Sequence, residues 1–189
     1  MVGRIGVLAL QGGYGKHLEA LERCKAPAFP LYHPHELDSC VGLILPGGES
    51  TTIWQQLEDF DFLNPLKTFA EQKPLFGTCA GMILMSRLHL LSITVERNGY
   101  GRQKVSFSTP LTLEFSPSKT IEALFIRAPK ITSIDSPDVK ILARNEEEVV
   151  CIQQGIHLAC SFHPELTTET TLHEYFISLC KEKPSLQPL

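Results

Sequence analysis

An α/β fold, with a mostly parallel sheet covered by helices on both faces and a smaller antiparallel region in the second half, is predicted by three features of the sequence. Short apolar segments alternate with helical patterns through the first half. The third such segment, residues 41–45, is almost wholly apolar and reads as a strand buried on both faces. The second half instead carries shorter strand-like segments, more antiparallel in character.

Residues 4–10 form the expected first strand, and residues 16–25 a helix with Leu18 and Leu21 on one face. A second strand is expected at 28–32 and a third at 41–45. Ser50 suits an N-cap, and Ile53, Trp54 and Leu57 follow at helical spacing. A further helix over 62–72 leads into a short apolar strand at 74–76. Shorter strands are expected at 92–96, 111–115, 121–126, 139–143, 149–153 and 156–162. The acidic run 146–148 between two of them reads as a solvated turn. A last amphipathic helix begins near Thr168 and turns Leu172, Phe176, Leu179 and Cys180 inward.

The chain of 189 residues fits one domain with a sizeable core, and residues 184–189 read as a frayed tail. A formal net charge of -4 offers no basic surface for nucleic-acid phosphates or anionic lipid. No apolar run approaches the ~20 residues needed to cross a bilayer. The N-terminus reads as a strand and turn, not a signal peptide. The six cysteines, at 24, 40, 79, 151, 160 and 180, are scattered, with no close pair at metal-ligand spacing. A reduced, cytoplasmic setting is therefore expected, with no metal and no cofactor.

One cysteine stands apart. Gly77-Thr78-Cys79-Ala80-Gly81 follows a strand and precedes a helical segment, the setting of a nucleophile elbow with cysteine in the serine position. The flanking glycines let backbone and helix approach closely, and the helix N-terminus favours a thiolate. A buried structural cysteine in a glycine-rich turn is the alternative. Of seven histidines only His163 lies just past an apolar strand, with Glu165 two residues on and able to share its face. A carboxylate there holds the imidazole tautomer and stabilises its charged form. His17, His89 and His173 read as helix-surface or near-helix residues, and His33 and His35 flank Pro34 in a loop. Finally, Pro46-Gly47-Gly48-Glu49-Ser50 follows the third strand and opens a helix. Such backbone N–H groups bind an anion or a developing oxyanion. A phosphate loop is the rival reading, but the full G-x-x-x-x-G-K pattern is absent. The loops at Gln11, 46–50 and 77–81 all lie at the carboxyl end of the sheet, where ligands bind.

In order, a P-G-G loop, a G-x-C-x-G elbow and a late H-P-E resemble the three-layer class I, triad-type glutamine amidotransferases. Within them the sequence is most similar to the glutaminase subunits of pyridoxal 5′-phosphate synthases. Leu10-Gln11-Gly12, PGGESTT at 46–52, Glu96-Arg97-Asn98 with Gly101-Arg102-Gln103, Phe125 to Pro129, and Ser161 to Leu166 carry that likeness. The resemblance implies that Cys79 attacks the side-chain amide of L-glutamine, that His163 moves the proton and that Glu165 orients His163. It implies an oxyanion hole at Gly48 and Ala80, and glutamine contacts at Gly47, Gly48, Glu49, Arg97, Ile126 and Arg127. Gln11 matches a position near both the site and a synthase contact. The implied partner is the synthase subunit, which would consume the ammonia and activate the glutaminase by docking. One departure is the short connection at 87–92, where the family usually has a longer, glycine-containing segment. An amidotransferase subunit of another pathway, such as histidine biosynthesis, and a non-catalytic binding protein on the same fold are the alternatives.

Overall fold

The computed structural model describes residues 3–100 and 106–181. The motif segment 101–103 and the expected tail at 184–189 therefore lie outside the described residues. The first half follows the expected alternation: β1 (Arg4–Leu8), α1 (Tyr14–Arg23), β2 (Ala28–Leu31), β3 (Cys40–Leu45), α2 (Ser50–Asp59), α3 (Leu63–Ala70), β4 (Leu75–Thr78) and α4 (Ala80–Arg87). After it come β5 (Ile93–Glu96), β6 (Ser106–Leu113), β7 (Ser116–Ile126), β8 (Lys130–Ile134), β9 (Val139–Asn145), β10 (Glu148–Gln154), β11 (His157–Cys160) and α5 (Thr171–Lys181).

A seven-stranded sheet has the order β2-β1-β3-β4-β11-β10-β9. Its first five strands pair in parallel, and β10 and β9 continue it antiparallel. Side chains alternate across a strand, so each central strand feeds two cores. Leu43 and Leu45 of β3 and Leu75 of β4 pack with α2, α3 and α4. Ile44 and Phe76 point the other way, among residues of α1, α5, β6 and β7. This is the helix–sheet–helix layering predicted, with the antiparallel pairs β5-β8 and β6-β7 set beside it.

Four local readings change. The strand β8 pairs with β5 but buries only Ile131, so its sequence lacks a strong alternating signal. The last strand β11 is antiparallel to β10 yet parallel to β4, which makes it a full member of the central sheet. Helix α2 is capped by Glu49, whose carboxylate accepts from the Thr51 N–H, and Ser50 is the first helical residue. Glu148 belongs to β10 and pairs with Lys130 at 2.5 Å, so only the first part of the acidic run is a turn. The short link after α4 is closed by His89 at φ 59° and by a Ser86 hydroxyl that donates to the Ile93 carbonyl at 2.9 Å.

Candidate active site

The loops after β1, β3, β4 and β11 converge beyond the carboxyl ends of adjacent parallel strands. Cys79 stands between β4 and α4 with φ 49° and ψ −106°, a conformation that L-residues rarely hold. Its N–H donates to the Cys160 carbonyl at 2.9 Å, which ties the elbow to β11. The glycines are required by contact. A β-carbon on Gly81 would lie 1.9 Å from the Leu45 carbonyl oxygen, and one on Gly77 would lie 2.7 Å from the Gly81 carbonyl carbon.

His163 follows β11, and its own N–H donates to the Leu124 carbonyl at 2.8 Å. Its Nδ1 is 2.7 Å from Glu165 Oε1, and its ring lines the cavity beside the Cys79 side chain. With Nδ1 committed to the carboxylate, Nε2 is left for the sulfur. Burial works against a charged His163. Its interactions with Cys79 and Glu165 outweigh it and raise the ring to about 10. For Glu165, burial would raise the carboxyl, but the His17 and His163 rings bring it below its usual value. Gly47 lies against the imidazole: a β-carbon there would sit 2.5 Å from His163 Cε1. Gly47 thus sits behind the histidine, and the cavity wall begins at Gly48.

The cavity above these groups has a volume of about 320 Å³. Gln11, Gly48, Glu49, Cys79, Ala80, Arg97, Ile126, Arg127 and His163, all expected at a site, line it, together with Ser50, Ile83 and Asn98. Arg97 spans its rim, donating to Glu49 Oε1 at 2.7 Å and to Thr51 Oγ1 at 2.6 Å. The short 87–92 connection therefore still delivers Arg97 to the loop after β3. Gln11 Oε1 accepts from the Glu49 N–H at 3.0 Å, holding that loop to the end of β1. The Gly47 carbonyl accepts from the Gly13 N–H at 2.9 Å. In a trans peptide the Gly48 N–H points to the opposite side. Ala80 opens α4, where an N–H has no acceptor within the helix. These are two backbone donors on the lining beside Cys79.

Two histidines read as helix-surface or near-helix residues are wholly buried. His17 and His173 are each 0% exposed. His17 Nδ1 lies 3.0 Å from His173 Nε2, and His17 Nε2 lies 3.1 Å from Thr78 Oγ1 and 3.5 Å from Glu165 Oε2. A polar ring on a helix reads as exposed unless its partners are known, and these come from β4 and α5. The one available signal was the spacing of His17, Ala20 and Leu21, which share the buried face of α1.

A family model for the SNO glutamine amidotransferase family matches residues 7–182. Pyridoxal 5′-phosphate synthase subunit PdxT of Anoxybacillus flavithermus is 44% identical, with 95% of this chain and 97% of that protein aligned. The subunit of the same name from Desulforamulus reducens is 43% identical over 94% of this chain and 99% of its own. Among solved structures, a glutamine amidotransferase superposes with a TM-score of 0.88 at 38% identity, covering 94% of this chain and 99% of that one. PurLQS from Thermotoga maritima shares the fold, with a TM-score of 0.76 at 17% identity over 94% of this chain and 99% of that one.

Proposed function

The chain belongs to the SNO glutamine amidotransferase family, and from that premise we propose that Cys79, His163 and Glu165 hydrolyse L-glutamine for a pyridoxal 5′-phosphate synthase. The carrying observation is that Cys79, held in a strained elbow, shares the cavity lining with a histidine that Glu165 grips at 2.7 Å. The cavity beside them is walled by charges suited to an amino acid. Arg97 and Arg127 suit the α-carboxylate, Glu49 suits the α-ammonium, and the Ile126 carbonyl lies 3.8 Å from the sulfur.

Chemistry follows from these positions. His163, raised to about 10, already holds the proton of the Cys79 thiol, and the sulfur attacks the carboxamide carbon of glutamine. The Gly48 and Ala80 N–H groups receive the oxyanion. As the intermediate collapses, the C–N bond breaks and His163 returns the proton to the departing nitrogen, giving ammonia and a γ-glutamyl thioester. Water then attacks the thioester with His163 as base, and glutamate leaves as the thiol reforms. Glu165 keeps the imidazole in one tautomer throughout.

The ammonia is intended for a synthase subunit that docks over this end of the sheet and makes pyridoxal 5′-phosphate. The relatives named pyridoxal 5′-phosphate synthase subunit support that reading across nearly their whole lengths. A cytoplasmic location fits the six unpaired cysteines. Among the described residues no helix is long and apolar enough to cross a membrane.

The test is glutamate release from glutamine by this protein, alone and with the synthase subunit. Stimulation by the synthase supports both reaction and partner, and no release in its presence refutes them. Cys79→Ala should abolish release, while the variant complex still makes product from added ammonium. Undiminished release by Cys79→Ala would remove the thiol from the mechanism.

A further inference from the structure

Glu165 uses one carboxylate oxygen on His163 and leaves the other inside the protein. Glu165 is 3% exposed, and its Oε2 is buried with no hydrogen bond among the described residues. The polar group facing it is His17 Nε2, at 3.5 Å. The same nitrogen lies 3.1 Å from the hydroxyl of Thr78, the residue just before Cys79.

The protonation of the buried pair follows from what each alternative strands. With the proton on His17 Nε2, that N–H points at two acceptors, Thr78 Oγ1 and Glu165 Oε2. His17 Nδ1 then accepts from His173 Nε2–H, and His173 Nδ1, without a partner among the described residues, is a bare lone pair. The opposite tautomers turn a lone pair of His17 toward a carboxylate. They also bury an unpaired N–H on His173, and a stranded donor loses its hydration with nothing in return. The first arrangement is the favoured one.

We propose that His17 is a positioning residue for the reaction, its Nε2–H holding the second oxygen of Glu165 and the threonine that leads into Cys79. His173 fixes the tautomer from behind. The chain Cys79–His163–Glu165–His17–His173 thus runs from the cavity to α5. This role rests on the glutaminase reading of the same site and adds a group below its carboxylate. A neutral ring is what the position needs, because a second imidazolium would compete with His163 for Glu165. Burial lowers both His17 and His173, the latter to about 3, so His163 is the ring that carries the proton. The 3.5 Å gap is one that such contacts close as charge develops.

If the two rings merely filled the core, replacing His17 would change stability and leave turnover alone. Three variants separate the roles. His17→Phe keeps the ring without a donor. His17→Gln places an amide N–H near the Nε2 position, and His17→Asn reaches only the Nδ1 position. Each is assayed with the synthase subunit for kcat and KM, beside wild type and Cys79→Ala. The His163 Nδ1–H proton is followed by low-field NMR on the same samples.

In His17→Phe, kcat should fall about ten-fold or more, the scale on which outer partners of a reacting group act, with KM little changed. The His163 Nδ1–H resonance should move upfield. Gln should restore more kcat than Asn. A folded His17→Phe with wild-type kcat, or an unmoved resonance, overturns the proposal. If the Phe variant fails to fold, Asn equal to or better than Gln does so. Failure of the glutaminase reading is separate: wild type with synthase would then release no glutamate, while the resonance still reports whether His17 holds Glu165.

Discussion

Arg97 and Glu49 meet across the mouth of the cavity at 2.7 Å, and the Glu49 oxygen that receives the guanidinium also caps α2 through the Thr51 N–H at 3.2 Å. One carboxylate oxygen thus serves the helix and the rim together. Both side chains are about half exposed, so the pair itself adds little stability. Arg97→Ala should therefore leave the melting midpoint nearly unchanged. If Arg97 grips the glutamine carboxylate, the loss is a charge-assisted hydrogen bond of ~1.5–3 kcal/mol, or roughly 10–100-fold in KM. Steady-state kinetics with the synthase subunit would show it. An unchanged KM would confine Arg97 to the rim.

Cys79 supplies a second test, because its backbone conformation and its sulfur can be removed separately. At φ 49° and ψ −106° a β-carbon is strained. Cys79→Ala and Cys79→Gly should both abolish glutamate release. Only glycine also relieves the backbone, so it should be the more stable by ~1 kcal/mol, the strain released less the chain entropy that glycine adds. Chemical denaturation of the two variants measures the difference. Equal midpoints would mean that the elbow holds no strain.

The parts of the site visible in the sequence are those whose geometry is local. Two glycines around Cys79 announce a tight elbow, and His163 with Glu165 two residues on forms a unit within one short segment. Arg97 and Arg127 are ordinary surface residues by pattern and were reachable only through resemblance to a family. His17 was misread because its environment comes from residues 61 and 156 positions away. In the fold, apolar β3 and β4 identify themselves as central strands. The insertion of β11 between β4 and β10 does not, since no local pattern says which neighbour a strand will take. β8 escaped notice for another reason: it buries one side chain in five residues.

The buried histidines make stability depend on pH in two separate windows. His173 is lowered by burial and by His17 from 6.5 to about 3. The unfolded chain therefore binds its proton first, so stability falls as pH drops from about 6.5 toward 3. His17 is lowered as well and acts in the same direction. His163 is raised to about 10, so its contribution is complete below 6.5 and disappears as pH rises through 10. Melting curves across pH should show a loss on each side. His173→Phe should flatten the acid limb and His163→Asn the alkaline one. If either substitution flattens the other limb, the two assignments are wrong.

Gly47 and Gly48 are adjacent, yet alanine at each should damage the kinetics in a different pattern. A β-carbon on Gly47 would lie 2.5 Å from His163 Cε1 and 3.1 Å from Nδ1, so the ring must yield. Moving it disturbs the 2.7 Å contact with Glu165 and the approach to Cys79 together. A displacement of the reacting group by about 1 Å costs on the order of 10² in rate, so Gly47→Ala should lower kcat by about that factor. A β-carbon on Gly48 meets Gln11 Oε1 at 2.5 Å and Gly12 Cα at 3.0 Å. It pushes away the amide oxygen that holds the Glu49 N–H, loosening the wall that carries Glu49 and Arg97. Gly48→Ala should therefore raise KM as well as weaken the oxyanion contact. The contrast is the informative result. A Gly47→Ala protein with normal kcat and raised KM would mean that His163 tolerates displacement, and that this glycine serves the substrate instead of the ring.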